Sequence, residues 1–112
     1  MDNISINGYI WAIKIVEPDN PKLIDRTNTQ RIATTDPSEY TIYLSNELEG
    51  EFLATVLRHE LSHAVMFSFG LLRDIHNFVP PERWIEAEEW ICNFIADYSS
   101  LILNTSYKVL NK

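Results

Sequence analysis

The sequence predicts an α+β fold, in which a small antiparallel sheet of about three strands packs on two long helices. Three short segments in the first part of the chain have the residue types and spacing of strands, and two long segments after them have helical periodicity. The chain has 112 residues, of which 46% are hydrophobic, and such a chain can bury one modest core. We therefore expect residues 1–112 to form a single domain.

Three segments have the pattern of strands. Residues 8–16 alternate with largely apolar side chains on both faces, which predicts a strand well inside the fold. Residues 31–35 predict a second strand, and residues 40–44, which are β-branched and aromatic, predict a third. The turn at residues 36–39 is short, so we expect these two strands to form an antiparallel hairpin. The polar residues 22–30 predict a loop or a short helical turn.

Two longer segments predict helices. The first spans about residues 45–69, contains no proline and ends at Gly70, which is suited to the end of a helix. Residues 71–79 predict a loop or a short helix. The second long helix is expected over residues 81–103, because a proline and an acidic residue stand in its first turn. Residues from 104 onward are expected to fray.

The first helix contains the motif H-E-x-x-H, formed by His59, Glu60 and His63. Residues four apart lie on the same face of a helix, so both imidazoles can point at one metal ion while Glu60 stands beside it. The residues around the motif are apolar, which indicates burial. Because an unpaired buried polar group costs on the order of 1–3 kcal/mol, these three side chains need partners. A bound metal would provide them.

A catalytic zinc ion usually has three protein ligands and one water. In one variant of the motif a third histidine follows closely, but Met66 and Phe69 stand where that variant has glycine and histidine. The alternative is a glutamate from the later helix, and Glu86, Glu88 and Glu89 are the candidates. Helical spacing alone does not choose among them.

Two stretches of the chain resemble the ImmA/IrrE-type metallopeptidases, which are small, mostly bacterial and phage zinc proteins. The first is RHELSHA at residues 58–64, and the second is EWICNFIA at residues 89–96. The second is similar to the family pattern E-x-x-A-N-x-F-A, with Cys92 for the alanine and Ile95 for the phenylalanine. The resemblance covers roughly residues 31–98. It implies a zincin-like fold, with Glu89 as the third metal ligand.

The two motifs together predict a zinc-dependent peptidase with one Zn²⁺ per chain. His59, His63 and Glu89 would hold the metal, and Glu60 would be the general base that activates water for cleavage of a peptide bond. By the resemblance, the substrate would be a cytoplasmic protein, for instance a repressor or another regulator. Members of the family often act beside a helix-turn-helix partner, but no DNA-binding segment is evident in this chain.

Three further features are predicted to assist the chemistry. Asn93, one helical turn after Glu89, would orient a ligand as a hydrogen-bonding neighbour. His76, in the segment between the helices, would donate a hydrogen bond to the developing oxyanion. The strand at residues 40–44 would be an edge strand that pairs with an extended peptide substrate.

The composition disfavours other classes of function. The net charge is -7, with 16 acidic and 9 basic residues and no lysine or arginine cluster, so we expect neither direct nucleic-acid binding nor a basic membrane-binding patch. The single cysteine, Cys92, cannot form a disulfide within the chain, which suits the cytoplasm. No signal peptide or membrane span is expected. The alternative function is a regulatory interaction domain without catalysis, either stabilised by zinc or free of metal.

Overall fold

The computed structural model describes residues 2–112, which form four strands followed by three helices. The strands are β1 (Asp2–Ile6), β2 (Tyr9–Val16), β3 (Ala33–Asp36) and β4 (Thr41–Ser45). The helices are α1 (Gly50–Ser68), α2 (Leu72–Phe78) and α3 (Trp84–Leu110), and short 3-10 turns occur at Pro21–Leu23 and Pro81–Arg83. This arrangement confirms the predicted α+β class.

The sheet differs from the prediction in strand number and direction. Its strand order is β1-β2-β4-β3, and the outer pairs β1·β2 and β3·β4 are antiparallel, as expected for the second pair. The central pair β2·β4 is parallel, with Ile13 opposite Ile42, so the sheet is mixed. The prediction missed β1, which a tight turn joins to β2. Asn7 and Gly8 form that turn with φ values of 50° and 84°, as a two-residue hairpin loop requires.

The prediction that residues 40–44 form an edge strand is wrong. Strand β4 lies between β2 and β3, and all five of its residues are buried. Side chains on both faces of β4 are therefore buried, which suits a strand that contains the β-branched and aromatic residues Thr41, Ile42 and Tyr43. Strand β3 is the edge of the sheet on this side.

One face of the sheet packs on α1. The buried centre of this contact consists of Trp11, Ile13, Ala33, Ile42, Leu44 and Ala64. The Trp11 indole is fully buried, and its Nε1 donates a hydrogen bond to Ser68 Oγ at 2.8 Å. This bond ties the last turn of α1 to the middle of β2, because a buried indole N–H needs an acceptor.

Helix α3 packs across α1 and completes the fold. Met66, Ile75 and Cys92 form a second buried cluster between the three helices. Arg58 Nε donates to the Ala96 backbone oxygen at 3.1 Å and so links α1 to α3 a little further along. The prediction of a frayed tail from residue 104 is wrong, because α3 continues to Leu110. Residues 104–110 contain neither glycine nor proline, and nothing in the sequence interrupts the helix there.

The other predicted helix limits either agree with the structure or differ from it by a few residues. Helix α1 begins at Gly50 rather than near residue 45, because residues 46–48 form a turn bonded to the sheet. The segment at residues 71–79 contains the short helix α2, which was one of its two predicted states. Within residues 2–112, no helix combines the length and the hydropathy that a membrane span needs.

The hydrogen bond between Trp11 and Ser68 predicts a measurable energetic coupling. Trp11→Phe removes the donor and leaves a small cavity, so we expect it to lower the free energy of unfolding by about 1–3 kcal/mol. In a double-mutant cycle with Ser68→Ala, urea unfolding should give a coupling energy of about 1 kcal/mol. Trp90→Phe is the control, since Trp90 is 67% exposed. A coupling energy near zero would show that the bond does not hold α1 to the sheet.

Candidate metal centre

Helix α1 supplies both histidines of the site. His59 and His63 are one helical turn apart, and their Nε2 atoms lie 3.2 Å from each other. Their side chains are only 17% and 11% exposed. The two rings therefore converge, as the i, i+4 spacing predicts.

Helix α3 supplies the third member of the cluster. Glu89 Oε2 lies 3.0 Å from His59 Nε2, and Glu89 Oε1 lies 3.1 Å from His63 Nε2. One carboxylate thus spans both imidazoles. Among the described residues, His59, His63 and Glu89 form a group whose ligand atoms lie close enough to hold one metal ion.

The geometry of these three side chains fits a small tetrahedral ion. With zinc–nitrogen distances of about 2.0–2.1 Å, neighbouring ligands of a tetrahedral zinc site lie about 3.4 Å apart. The two Nε2 atoms are 3.2 Å apart, and each lies 3.0 or 3.1 Å from a different oxygen of Glu89, so these separations are within a few tenths of an ångström of that value. Two imidazoles and one carboxylate are also a common donor set for catalytic zinc.

Glu88, the neighbour of Glu89, binds the ring nitrogen of His63 that faces away from the cluster. Its Oε2 accepts a short hydrogen bond from His63 Nδ1, on the opposite side of the ring from the cluster. Its Oε1 accepts a hydrogen bond from Arg26 Nη1 at 3.1 Å, and Arg26 Nη2 lies 3.6 Å from Glu89 Oε1. A proton fixed on Nδ1 leaves the Nε2 lone pair directed at the cluster, which is the tautomer that a metal needs.

Glu60 lies beside the cluster but is not one of its three converging side chains. Its Oε1 accepts a hydrogen bond from Thr35 Oγ1 at 2.8 Å, and its Oε2 lies 3.9 Å from His59 Nε2. The residue is buried, and burial raises the pKa of its carboxyl despite the opposing effects of His63 and Thr35. One oxygen is therefore anchored to strand β3, while the other faces the position where the histidines converge.

The acidic groups around His59 and His63 favour a positive charge between the two imidazole rings. Burial lowers the pKa of His63, but Cys92, Glu88 and Glu89 outweigh burial and raise it to about 12. Hydrogen bonds to His59 and His63 hold the pKa of Glu89 well below its usual range. Burial raises the pKa of Glu88, but the hydrogen bond and charge of His63 lower it more. A second proton on His63 supplies this charge in the metal-free protein, and a divalent cation can supply it through both rings.

The structure does not bring every predicted residue to the cluster. Glu86 is exposed and forms a long ion pair with Arg83 at 3.4 Å. Asn93 lines the adjacent cleft but makes no hydrogen bond to the cluster within residues 2–112. His76 is exposed on α2 and stacks on the Trp84 ring at 3.8 Å between centroids. It is not among the described residues that line the cleft, so it is not placed to act on a group bound there.

The cluster opens into a cleft of about 900 Å³ between the two helices on one side and β3 with the preceding loop on the other. Along α1, Phe52 and Val56 line the cleft on one side of the histidines and Phe67 lines it on the other. The whole of β3 contributes to the opposite wall. The site thus combines a polar centre with apolar surface on both sides, as small-molecule and peptide sites commonly do.

Sequence reasoning missed two residues of the site, Arg26 and Thr35. Arg26 lies in an irregular loop, and no periodic pattern connects it to residues more than 60 positions away. Thr35 was within a predicted strand, but its side chain could not be assigned to Glu60 without the packing of that strand on α1. The loop is held locally by Asp25, which accepts hydrogen bonds from the backbone of Thr27 and Thr29.

Comparisons with models of known protein families and with curated proteins give no match for this chain. The resemblance of residues 58–64 and 89–96 to ImmA/IrrE-type peptidases therefore stays a prediction.

The cluster predicts metal binding that depends on both histidines. Protein purified from zinc-replete cells should contain about one zinc ion per chain, measured by mass spectrometry of the metal content. His59→Ala and His63→Ala should each abolish this content, because each removes one of three ligands. His76→Ala is the matched control and should keep it. Absence of metal from the intact protein would contradict the assignment.

The position of Glu88 predicts an effect on metal affinity without loss of the site. Glu88→Gln keeps a hydrogen-bond acceptor for His63 but removes the charge, so zinc affinity should fall by about 10–100-fold. Competition with a chromophoric chelator measures this change. Glu86→Gln is the same substitution at an exposed position of the same helix and should leave the affinity unchanged. Equal affinities of the two variants would exclude a role for Glu88 in orienting His63.

Proposed function

We propose that the protein is a zinc-dependent peptidase with a zincin-like active site. The observation that supports this most is the separate placement of Glu60. Two imidazoles and the Glu89 carboxylate converge on one point, while a fourth, buried side chain is anchored by Thr35 and faces the same point. A site that only stabilises the fold has no need of such a carboxylate, and structural zinc sites are usually rich in cysteine.

His59, His63 and Glu89 would hold the zinc ion, which is the metal that this donor set favours. Zinc in such a site supplies Lewis acidity, which lowers the pKa of a water molecule to about 7 and polarises a carbonyl group. Arg26 and Glu88 contribute by fixing Glu89 and His63 in position. Their hydrogen bonds restrict the rings and the carboxylate before any ligand binds.

Glu60 would be the general base. Its Oε2 is free of the Thr35 hydrogen bond and faces the cluster, so it can receive a proton from the attacking water. A pKa raised by burial makes the carboxylate a better proton acceptor than an exposed glutamate. The same oxygen can then deliver the proton to the departing amine, which keeps the proton balance of peptide hydrolysis.

The substrate would bind as an extended chain along β3. This strand takes the role that was predicted for residues 40–44, because it is the edge of the sheet and its whole length faces the cleft. The unpaired backbone groups of an edge strand can form hydrogen bonds with a peptide. Thr35 places this strand next to Glu60, so a peptide paired with β3 passes close to the cluster.

The resemblance to ImmA/IrrE-type proteins supports a cytoplasmic substrate, for instance a repressor or another regulatory protein. The negative charge of the chain and the absence of a lysine or arginine cluster in its sequence agree with a protein rather than a nucleic acid as the direct target. A separate DNA-binding protein would then connect the peptidase to gene regulation.

The role of Glu60 predicts that cleavage and metal binding separate in one variant. Glu60→Gln should keep about one zinc per chain but lose cleavage by about 10²–10⁴-fold, because it cannot take a proton. Mass spectrometry of a proteome-derived peptide library, incubated with the zinc-loaded protein, detects the new peptide ends. Glu86→Gln is the control and should cleave like the wild type.

Other results would favour the alternatives. If zinc raises the melting temperature but the wild type cleaves nothing, the protein is a zinc-stabilised regulatory domain. If zinc changes neither melting nor cleavage, it is a metal-free interaction domain. Cleavage at the wild-type rate by Glu60→Gln would assign the base to another group.

A further inference from the structure

The second half of α3 extends beyond the folded domain. The helix has 27 residues, and a helix of that length is about 40 Å long. Residues 100–112 are all exposed, whereas earlier residues of the helix are buried against α1. A helical segment as short as residues 100–110, if it packs on nothing, gains too little from its own hydrogen bonds to be stable in water. Packing against another surface would supply the missing stabilisation.

Apolar residues on one side of this helix form a stripe, which Thr105 interrupts between Ile102 and Val109. The stripe consists of Phe94, Tyr98, Leu101, Ile102 and Val109, which recur at three-, four- and seven-residue intervals and are 43%, 52%, 62%, 52% and 56% exposed. Phe94 and Tyr98 contact each other with ring centroids 5.7 Å apart. Spacing of this kind places side chains on one face, as in helices that pair with another helix.

Charged residues beside the stripe identify a partner. Asp97 and Lys108 flank the stripe on the same side of the helix, and neither has an ion pair within residues 2–112. After Asp97 the chain contains Lys108 and Lys112 but no acidic residue, although its net charge is -7. In a symmetric antiparallel helix pair, flanking residues on the same side of the two helices face each other. With the two-fold axis between Ile102 and Leu103, Asp97 of one copy is opposite Lys108 of the other.

We propose that two copies of this chain pair through the stripe of α3 as an antiparallel, two-fold symmetric dimer. In this register, Ile102 is at the same height along the helix axis as Leu103 of the second copy, and Tyr98 is at the same height as its Tyr107, although the side chains of Leu103 and Tyr107 face away from the pairing. The pairing forms two Asp97–Lys108 ion pairs and covers the stripe of both chains. Asp97 also lines the cleft, so the second copy borders the mouth of the candidate active site.

The available surface is sufficient for a weak to moderate dimer. Five large apolar side chains, each roughly half exposed, offer on the order of 500 Å² per chain, so a dimer buries on the order of 1,000 Å² in total. That is near the lower limit for a specific interface, so the dissociation constant should lie in the micromolar range. An anionic membrane suits the stripe less well, because the chain is acidic and residues 98–112 contain only two lysines and no arginine.

The test is the oligomeric state of the full chain, measured by analytical ultracentrifugation between 1 and 200 µM. The wild type should reach a dimer in this range. Leu101→Glu should be monomeric, because it places a charge in the stripe. Leu103→Glu is the matched control: Leu103 is 52% exposed but lies on the opposite side of the helix, so this variant should still dimerise. Circular dichroism checks that both variants are folded.

Charge reversal tests the register. Asp97→Lys and Lys108→Glu should each weaken self-association by about 5- to 30-fold, since two attractive pairs become two repulsive ones. Mixing the two variants should restore a dimer of one copy each, because every pair is then complementary. Lys112→Glu carries the same charge change outside the pairs and should associate like the wild type.

Three results would overturn the proposal. The first is a wild type that is monomeric at 200 µM, and the second is equal association of the Leu101→Glu and Leu103→Glu variants. The third is a monomer that co-sediments with vesicles of anionic phospholipid, which would assign the stripe to a lipid surface.

Discussion

The hydrogen bond between His63 and Glu88 is the interaction on which the candidate site depends. It joins the middle of α1 to the first half of α3, and Arg26 extends it to the loop before β3. Both side chains of the pair are about 90% buried, so removal of either one would leave the other without compensation in a poorly solvated place. Helix α1, helix α3 and the loop before β3 must therefore pack together correctly to hold the site in this arrangement.

The charges of the site explain its shape. Glu60, Glu88 and Glu89 lie within a small region, where Arg26 and His63 contact the acidic groups and Arg31 interacts with Glu60 and Glu89 electrostatically. Like charges held this close repel each other unless a cation lies between them. A metal ion bound by the imidazoles and Glu89 would relieve this repulsion, while Glu60 stays apart because Thr35 holds it. Hydrogen bonds involving β3 and α3 thus separate the proposed metal ligands from the proposed base.

The sequence was sufficient for the α1 part of the site and insufficient for the α3 part. The positions of His59, Glu60 and His63 follow from helical spacing, which is a local property. Glu88 and Glu89 are adjacent, and which of them meets Nε2 of His63 depends on how α3 crosses and rotates against α1. Spacing does not determine that rotation, and only the family resemblance favoured Glu89. Arg26 could not be found, since loop conformation is not encoded in a periodic pattern.

The same distinction applies to the fold. The α+β class follows from the order of the segments, and the turn Asn7–Gly8 is a hairpin signal that would have revealed β1. The parallel pairing of β2 with β4 follows from the path of the chain between them, which is a non-local property. The sequence analysis does not predict the continuation of α3 past residue 104, because it treats residues near a terminus as poorly ordered.

Arg26 has a consequence for how such a protein can change over evolutionary time. The loop that carries it also forms one wall of the cleft, so it contacts whatever occupies the cleft and, through Glu88 and Glu89, also braces the acidic side of the cluster. Mutations that reshape this wall to accommodate a different ligand would therefore also change how firmly the cluster holds the proposed metal ion. If the protein has the proposed zinc-dependent activity, its selectivity and its retention of the metal would be coupled, and lineages that diverge in one would be expected to compensate in the other.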